Sequence, residues 1–80
     1  MKAKYVMTFA GPILFPESIP HDAFRAFQPV SAGFVSINQK GDISTYGKSV
    51  SLNLEPKEYD SILIECAFEE RRNKNEKKSI

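Results

Sequence analysis

The chain has no tryptophan, one cysteine (Cys66) and one histidine (His21). A lone cysteine can close no intrachain disulfide and build no zinc cluster. A lone histidine without a second ligand at metal spacing gives no metal site. The expectation is a protein without metal or cofactor in a reducing, cytoplasmic setting. Long hydrophobic runs are missing too: no segment approaches the roughly 20 apolar residues of a membrane-crossing helix, so no membrane partner is expected. The opening MKAKYVMTFAGPILF has the basic start and apolar content of a signal peptide. Thr8 and Pro12 interrupt its apolar run, however, and no small-residue cleavage site follows, so it reads as a strand. Charge of one sign is also scarce. Residues 1–68 carry six Lys/Arg against seven Asp/Glu, and residues 69–80 carry five against three. The body thus has no basic excess to hold a polyanion, and the mild positive charge sits in the tail.

What is present suits one small domain. In 80 residues, 41% are hydrophobic and nine are Phe or Tyr. That is enough for one core and too little for two. Residues 1–70 are expected to form it, and the polar RRNKNEKKSI of 71–80 a disordered tail.

Residues 2–10 alternate, with Ala3, Tyr5, Met7 and Phe9 on one face and Lys2, Lys4 and Thr8 on the other. That predicts a half-buried strand. Residues 11–19, with two prolines, predict a loop lying against the core. Pro20 suits a first helical position, and PHDAFRAF predicts a two-turn helix packing Ala23, Phe24 and Phe27, stopped by Pro29. Residues 33–39 and 42–53 predict a hairpin around NQKGD, with Gly47 at a bulge in its second arm. The alternation of Val50, Leu52 and Leu54 with Ser49, Ser51 and Asn53 is the clearest period in the chain. Over 56–70, Tyr59, Ile62, Leu63, Cys66 and Ala67 share one helical stripe, the expected core face.

The predicted fold is therefore α+β, in the order β-α-β-β-α. A three-stranded, mostly antiparallel sheet carries the C-terminal helix on one face. The first strand is placed beside the second hairpin arm and parallel to the first arm, through a right-handed crossover.

Five groups invite chemistry. Gly47-Lys48-Ser49 ends like a phosphate loop, but the earlier glycine belongs at position 42, which is Asp42. The strand period that follows also lacks the helix start such a loop needs. His21 lies near Asp22 and Ser18, but neighbours on a helix do not orient one another into a triad. A surface or capping role is expected for it. Cys66, in the helix stripe with acidic neighbours Glu65, Glu69 and Glu70, predicts a buried, inert thiol. Glu69 and Glu70, at a helix end, predict solubilising charges. Phe34, Tyr46 and Tyr5 could together make an outer-face aromatic platform for single-stranded nucleic acid, but with so few lysines nearby they are expected to be core aromatics beside solvated lysines.

One resemblance follows from several short motifs. Phe15-Pro16-Glu17, Ala32-Gly33-Phe34, the run Tyr46-Gly47-Lys48-Ser49-Val50-Ser51-Leu52, and Asp60 before Ile62-Leu63-Ile64 resemble the pattern of small uncharacterised proteins carried by bacteriophages and prophages. The likeness covers most of residues 13–64. It implies no activity; it implies an accessory protein of a mobile element in bacterial cytoplasm.

No acid, base, nucleophile or metal set converges in the sequence, so the expected function is non-enzymatic, without a small-molecule substrate. The chain is expected to dock to another protein or to a second copy, most specifically as a homodimer through a sheet edge, because a small sheet has edges and a face to cover. The expected interaction surface is Phe34, Tyr46, Lys48, Ser49, Ser51 and Asn53. The alternative is a nucleic-acid-binding module using outer-face aromatics, Lys40, Lys48 and the basic tail. A hydrolase using His21 and a serine is a third reading.

Overall fold

A computed structural model describes the backbone of residues 1–78 and the side chains of residues 1–70. The class is α+β: an antiparallel sheet with a helix packed across it. Strands β1 (Lys2–Thr8), β2 (Gly11–Phe15), β3 (Ser31–Ile37) and β4 (Ile43–Tyr46) form one four-stranded sheet in the order β2-β1-β3-β4. A 3₁₀ helix (His21–Phe27) joins β2 to β3, and helix α1 (Asp60–Lys78) follows β4. Helix α1 thus includes residues 71–78 of the stretch expected as a disordered tail; the side chains of 71–80 and the backbone of 79–80 lie outside the described residues.

The sheet corrects two expectations. Residues 11–15, expected as loop, are an edge strand. Two prolines rule out a helix but not an edge strand, where a missing N–H faces solvent. Pro12 sits opposite Met7, and Leu14 opposite Tyr5. The first strand is also not parallel to the third. Because β2 returns the chain at once, β1 lies in the centre, antiparallel to both β2 and β3, and no crossover is needed. The hairpin at NQKGD is as expected: Asn38 Oδ1 accepts from the N–H groups of Lys40 and Asp42, both at 2.9 Å.

Both sheet faces are covered, which explains why Val6 on the "polar" side of β1 is fully buried. On one face, Ala3, Tyr5, Met7 and Val35 pack under Ile64 of α1. On the other, Val6, Phe15 and Ala32 are covered by Phe24, Leu52 and Leu54.

The segment between Pro20 and Pro29 tightens to a 3₁₀ helix instead of an α-helix. A three-residue period lines up His21, Phe24 and Phe27. His21 is consequently buried, which overturns its expected surface role. Its Nε2 donates to the Gly33 carbonyl at 2.8 Å, and its ring meets Phe15 and Phe34 edge-on. Ser18 and Asp22 stay exposed, so no triad assembles around it. Ala23 and Phe27, expected in the core, are exposed.

The run at 47–54 is not a strand. Gly47 (φ 70°) turns the chain away from β4, and Asn53 (φ 56°) reverses it again. Ser49 and Leu54 make a single bridge around a tight turn, with Asn53 N–H donating to the Val50 carbonyl at 3.2 Å. Val50 therefore points out, and Ser49, expected outside, is buried. Its Oγ accepts from Leu52 N–H at 3.3 Å, a local side-chain bond replacing the ladder. The alternation was real, but only Leu52 and Leu54 use it, as plugs for the sheet. No helix follows Ser49, so the phosphate-loop geometry is absent here as well.

Candidate interaction face

The six residues expected to form one surface are divided. Phe34 and Tyr46 do meet: they are cross-strand partners whose rings stack at 5.7 Å and 23°. Lys4 Nζ lies 5.9 Å from the Phe34 centroid. A Cβ on Gly47 would approach the Phe34 ring to 2.8 Å, so this glycine allows the stack to close. Tyr5, the third ring of the expected platform, is on the opposite sheet face under α1. Lys48, Ser49 and Asn53 belong to the loop, beside a shallow groove that also takes in Glu55 and Lys57. Ser51 is exposed, and its carbonyl accepts from Arg25 Nη2 at 2.9 Å.

A different face is apolar and open, and α1 creates it. Asp60, in the first turn, is 2% exposed. Its Oδ2 accepts from the Tyr5 hydroxyl at 2.5 Å and from Lys57 N–H at 2.9 Å. The second bond closes the turn that leads into the helix, where Asp60 N–H in return donates to the Lys57 carbonyl at 3.0 Å. The first ties α1 to the central strand. Burial, and then the hydrogen bond and negative charge of Asp60, push the Tyr5 hydroxyl far above the ordinary tyrosine range.

With Asp60 turned inward, the residues at i+4, i+7 and i+8 follow it: Ile64 is fully buried, and Ala67 and Phe68 are half-buried. The expected core stripe is displaced outward. Tyr59 is 67% exposed, Ile62 56% and Leu63 46%. Cys66 is exposed, not buried as expected. Helix α1 thus has two apolar faces and shows one of them to solvent.

Phe9 lies on the same side of the molecule. With Ala10 it forms the two-residue connection between β1 and β2. The turn is held without its side chain: Thr8 Oγ1 donates to the Gly11 carbonyl at 2.8 Å and accepts from Ala10 N–H at 3.1 Å. The Phe9 ring is 94% exposed, beside a hollow bordered by Met7, Val30, Leu63 and Cys66. Sequence reasoning missed both features. The signal for the helix is the spacing Asp60, Ile64, Ala67, Phe68, an inward stripe headed by a carboxylate. The signal for the turn was Gly11 directly after Phe9-Ala10.

No protein-family model matches the chain, and no curated protein or solved structure is significantly similar to it. Among the described residues, no group of three or more His, Cys, Asp or Glu is placed to hold a metal ion, and no helix is long and apolar enough to cross a membrane.

Proposed function

We propose that this chain is a non-enzymatic docking module that pairs with a second copy of itself through the outward stripe of α1 and the adjoining Phe9. One observation carries the reading. The helix turns a carboxylate into the core and leaves Tyr59, Ile62 and Leu63 in water, next to a phenyl ring that is 94% exposed. Scattered exposed apolar side chains are ordinary; a contiguous set is not. Together with Cys66 these side chains expose on the order of 600 Å², at the upper end for the largest patch on a monomer. Two such patches face to face would bury about 1,200 Å² in total, the lower end of specific interfaces. A two-fold dimer asks for one self-complementary patch, and a single stripe next to a single turn supplies it. In the setting implied by the phage-type resemblance, the dimer serves as an accessory protein of a mobile element in bacterial cytoplasm.

Light scattering over a concentration series tests the reading. A mass rising from one copy to two supports it, and a monomer at the highest concentration refutes it.

The nucleic-acid reading has one favourable feature, the stack of Tyr46 on Phe34 beside Lys4. It requires binding that weakens steeply with salt. Tyr46 is the one open ring of that stack, which makes this the weaker reading.

A further inference from the structure

Beside the outward stripe, the molecule carries a knob and a hole. The knob is Phe9. Its turn is closed by Thr8 and Gly11, so the phenyl ring contributes nothing to the bonds that hold the turn. Two-residue hairpin connections favour Asn, Asp and Gly. A ring placed there is free to enter something else.

The hole is a cleft of about 170 Å³ between edge strand β2 and helix α1. Pro12, Ile13, Leu14, Ile64, Ala67 and Phe68 line it. The lining is entirely of apolar residue types. An apolar cavity of roughly 150 Å³ holds a benzene ring, so this half-open cleft has the size for a phenyl group and offers it apolar side chains.

Phe9 cannot be the plug of its own cleft, because in this fold it projects into solvent. Yet the two are adjacent: Pro12 and Ala67 line both the cleft and the hollow next to Phe9. A two-fold axis passing near Pro12 and Ala67 would carry the Phe9 of each copy over the cleft of the other. A knob and its matching hole on one face are what a closed, isologous pair requires.

We propose that Phe9 of each copy seats in the β2–α1 cleft of a second copy, as a reciprocal pair of anchors at the centre of the interface. The proposal rests on the self-docking reading above and adds its anchoring contact. Aromatic side chains that fill pockets near the middle of an interface carry most of its affinity. The Leu63–Cys66 surface then acts as the surround that excludes water.

The chain has no tryptophan, so Phe9→Trp places a single reporter at a position whose side chain the fold does not use. Fluorescence emission and light scattering are recorded together over a dilution series. The expected result is water-exposed emission in the dilute monomer and a blue shift that tracks dimer formation. Ala67→Glu in the same background is expected to remove the shift. Phe9→Ser, which leaves the turn's own bonds intact, should raise the dissociation constant about thirtyfold or more, as loss of a central anchor does. A dimer whose indole stays in water, or whose affinity survives Phe9→Ser, overturns the anchor while leaving the docking reading standing. A monomer throughout overturns both. Emission that is blue-shifted where light scattering reports a single copy means that the ring folds onto its own chain, and this also overturns the anchor.

Discussion

The Tyr5 hydroxyl donates a 2.5 Å hydrogen bond to Asp60 Oδ2 across 55 residues of sequence, and both groups are buried. This bond joins the central strand to the first turn of α1 and so sets the rotation of the helix. Everything on the outward face follows from that rotation.

Removing the hydroxyl should cost more than one ordinary hydrogen bond. In Tyr5→Phe, Asp60 keeps only Lys57 N–H among the partners described, and a buried carboxylate is left short of donors. The expected loss is about 1–3 kcal/mol in urea unfolding. A change below about 0.5 kcal/mol would mean that the bond does not hold the helix.

The same pair makes stability depend on alkaline pH. In the unfolded chain Tyr5 ionises at about pH 10. In the fold, burial and the Asp60 carboxylate keep it protonated well above that. A raised folded value means that the stabilisation is complete below about pH 10 and is lost as pH rises further, because only the unfolded chain releases the proton. Unfolding midpoints measured from about pH 9 to about pH 11 should therefore fall more steeply in the native sequence than in Tyr5→Phe. Equal slopes would contradict this.

Two glycines are required by close packing, and a third supplies the control. A Cβ on Gly33 would lie 2.7 Å from Pro56 Cγ and 2.9 Å from the Tyr46 carbonyl; on Gly47 it would lie 2.8 Å from the Phe34 ring. Gly33→Ala and Gly47→Ala should each destabilise by about 1–3 kcal/mol. Gly41 has φ 89° with open space around it, so Gly41→Ala should show only the backbone cost of about 1 kcal/mol. Thermal unfolding of the three variants separates the two terms.

The outward stripe should tolerate charge in the monomer. Leu63→Glu places a carboxylate on an exposed helix position, so its effect on monomer unfolding should stay within about 0.5 kcal/mol. If Leu63 packs against a second copy, the same change should abolish self-association, seen as a concentration-independent mass. A large loss of monomer stability would show that Leu63 belongs to the core.

The fold class was legible because its signals are local. Alternation in β1, the turn chemistry of Asn38 and Gly41, and the helix after Pro56 all act over a few residues. What was not legible depended on distant partners. Pro12 is acceptable in β2 only because β2 is an edge, and that is known only once β1 is central. The Val50–Leu54 alternation satisfies a strand pattern, but two left-handed residues, Gly47 and Asn53, convert it into a plugged turn. Counting apolar residues on α1 favours Tyr59, Ile62, Leu63 and Cys66 as the inner face. A partner 55 residues away, the Tyr5 hydroxyl, favours Asp60 instead. Of the expected interaction surface, Phe34 and Tyr46 sit together on β3 and β4, while Lys48, Ser49, Ser51 and Asn53 lie in the turn that replaces the expected end of the second arm.

Cys66 is the one thiol in the chain and sits at the end of the outward stripe, at the hollow it shares with Phe9. Its rate of labelling by an aromatic disulfide reagent, in dilute native protein, reports the rotation of α1 directly. Labelling about as fast as in the urea-unfolded chain, and slowing as concentration rises and copies pair, is the expected result. A thiol that reacts only when the whole protein unfolds, at every dilution, would put Cys66 in the core and contradict both the helix phase and the docking face built on it.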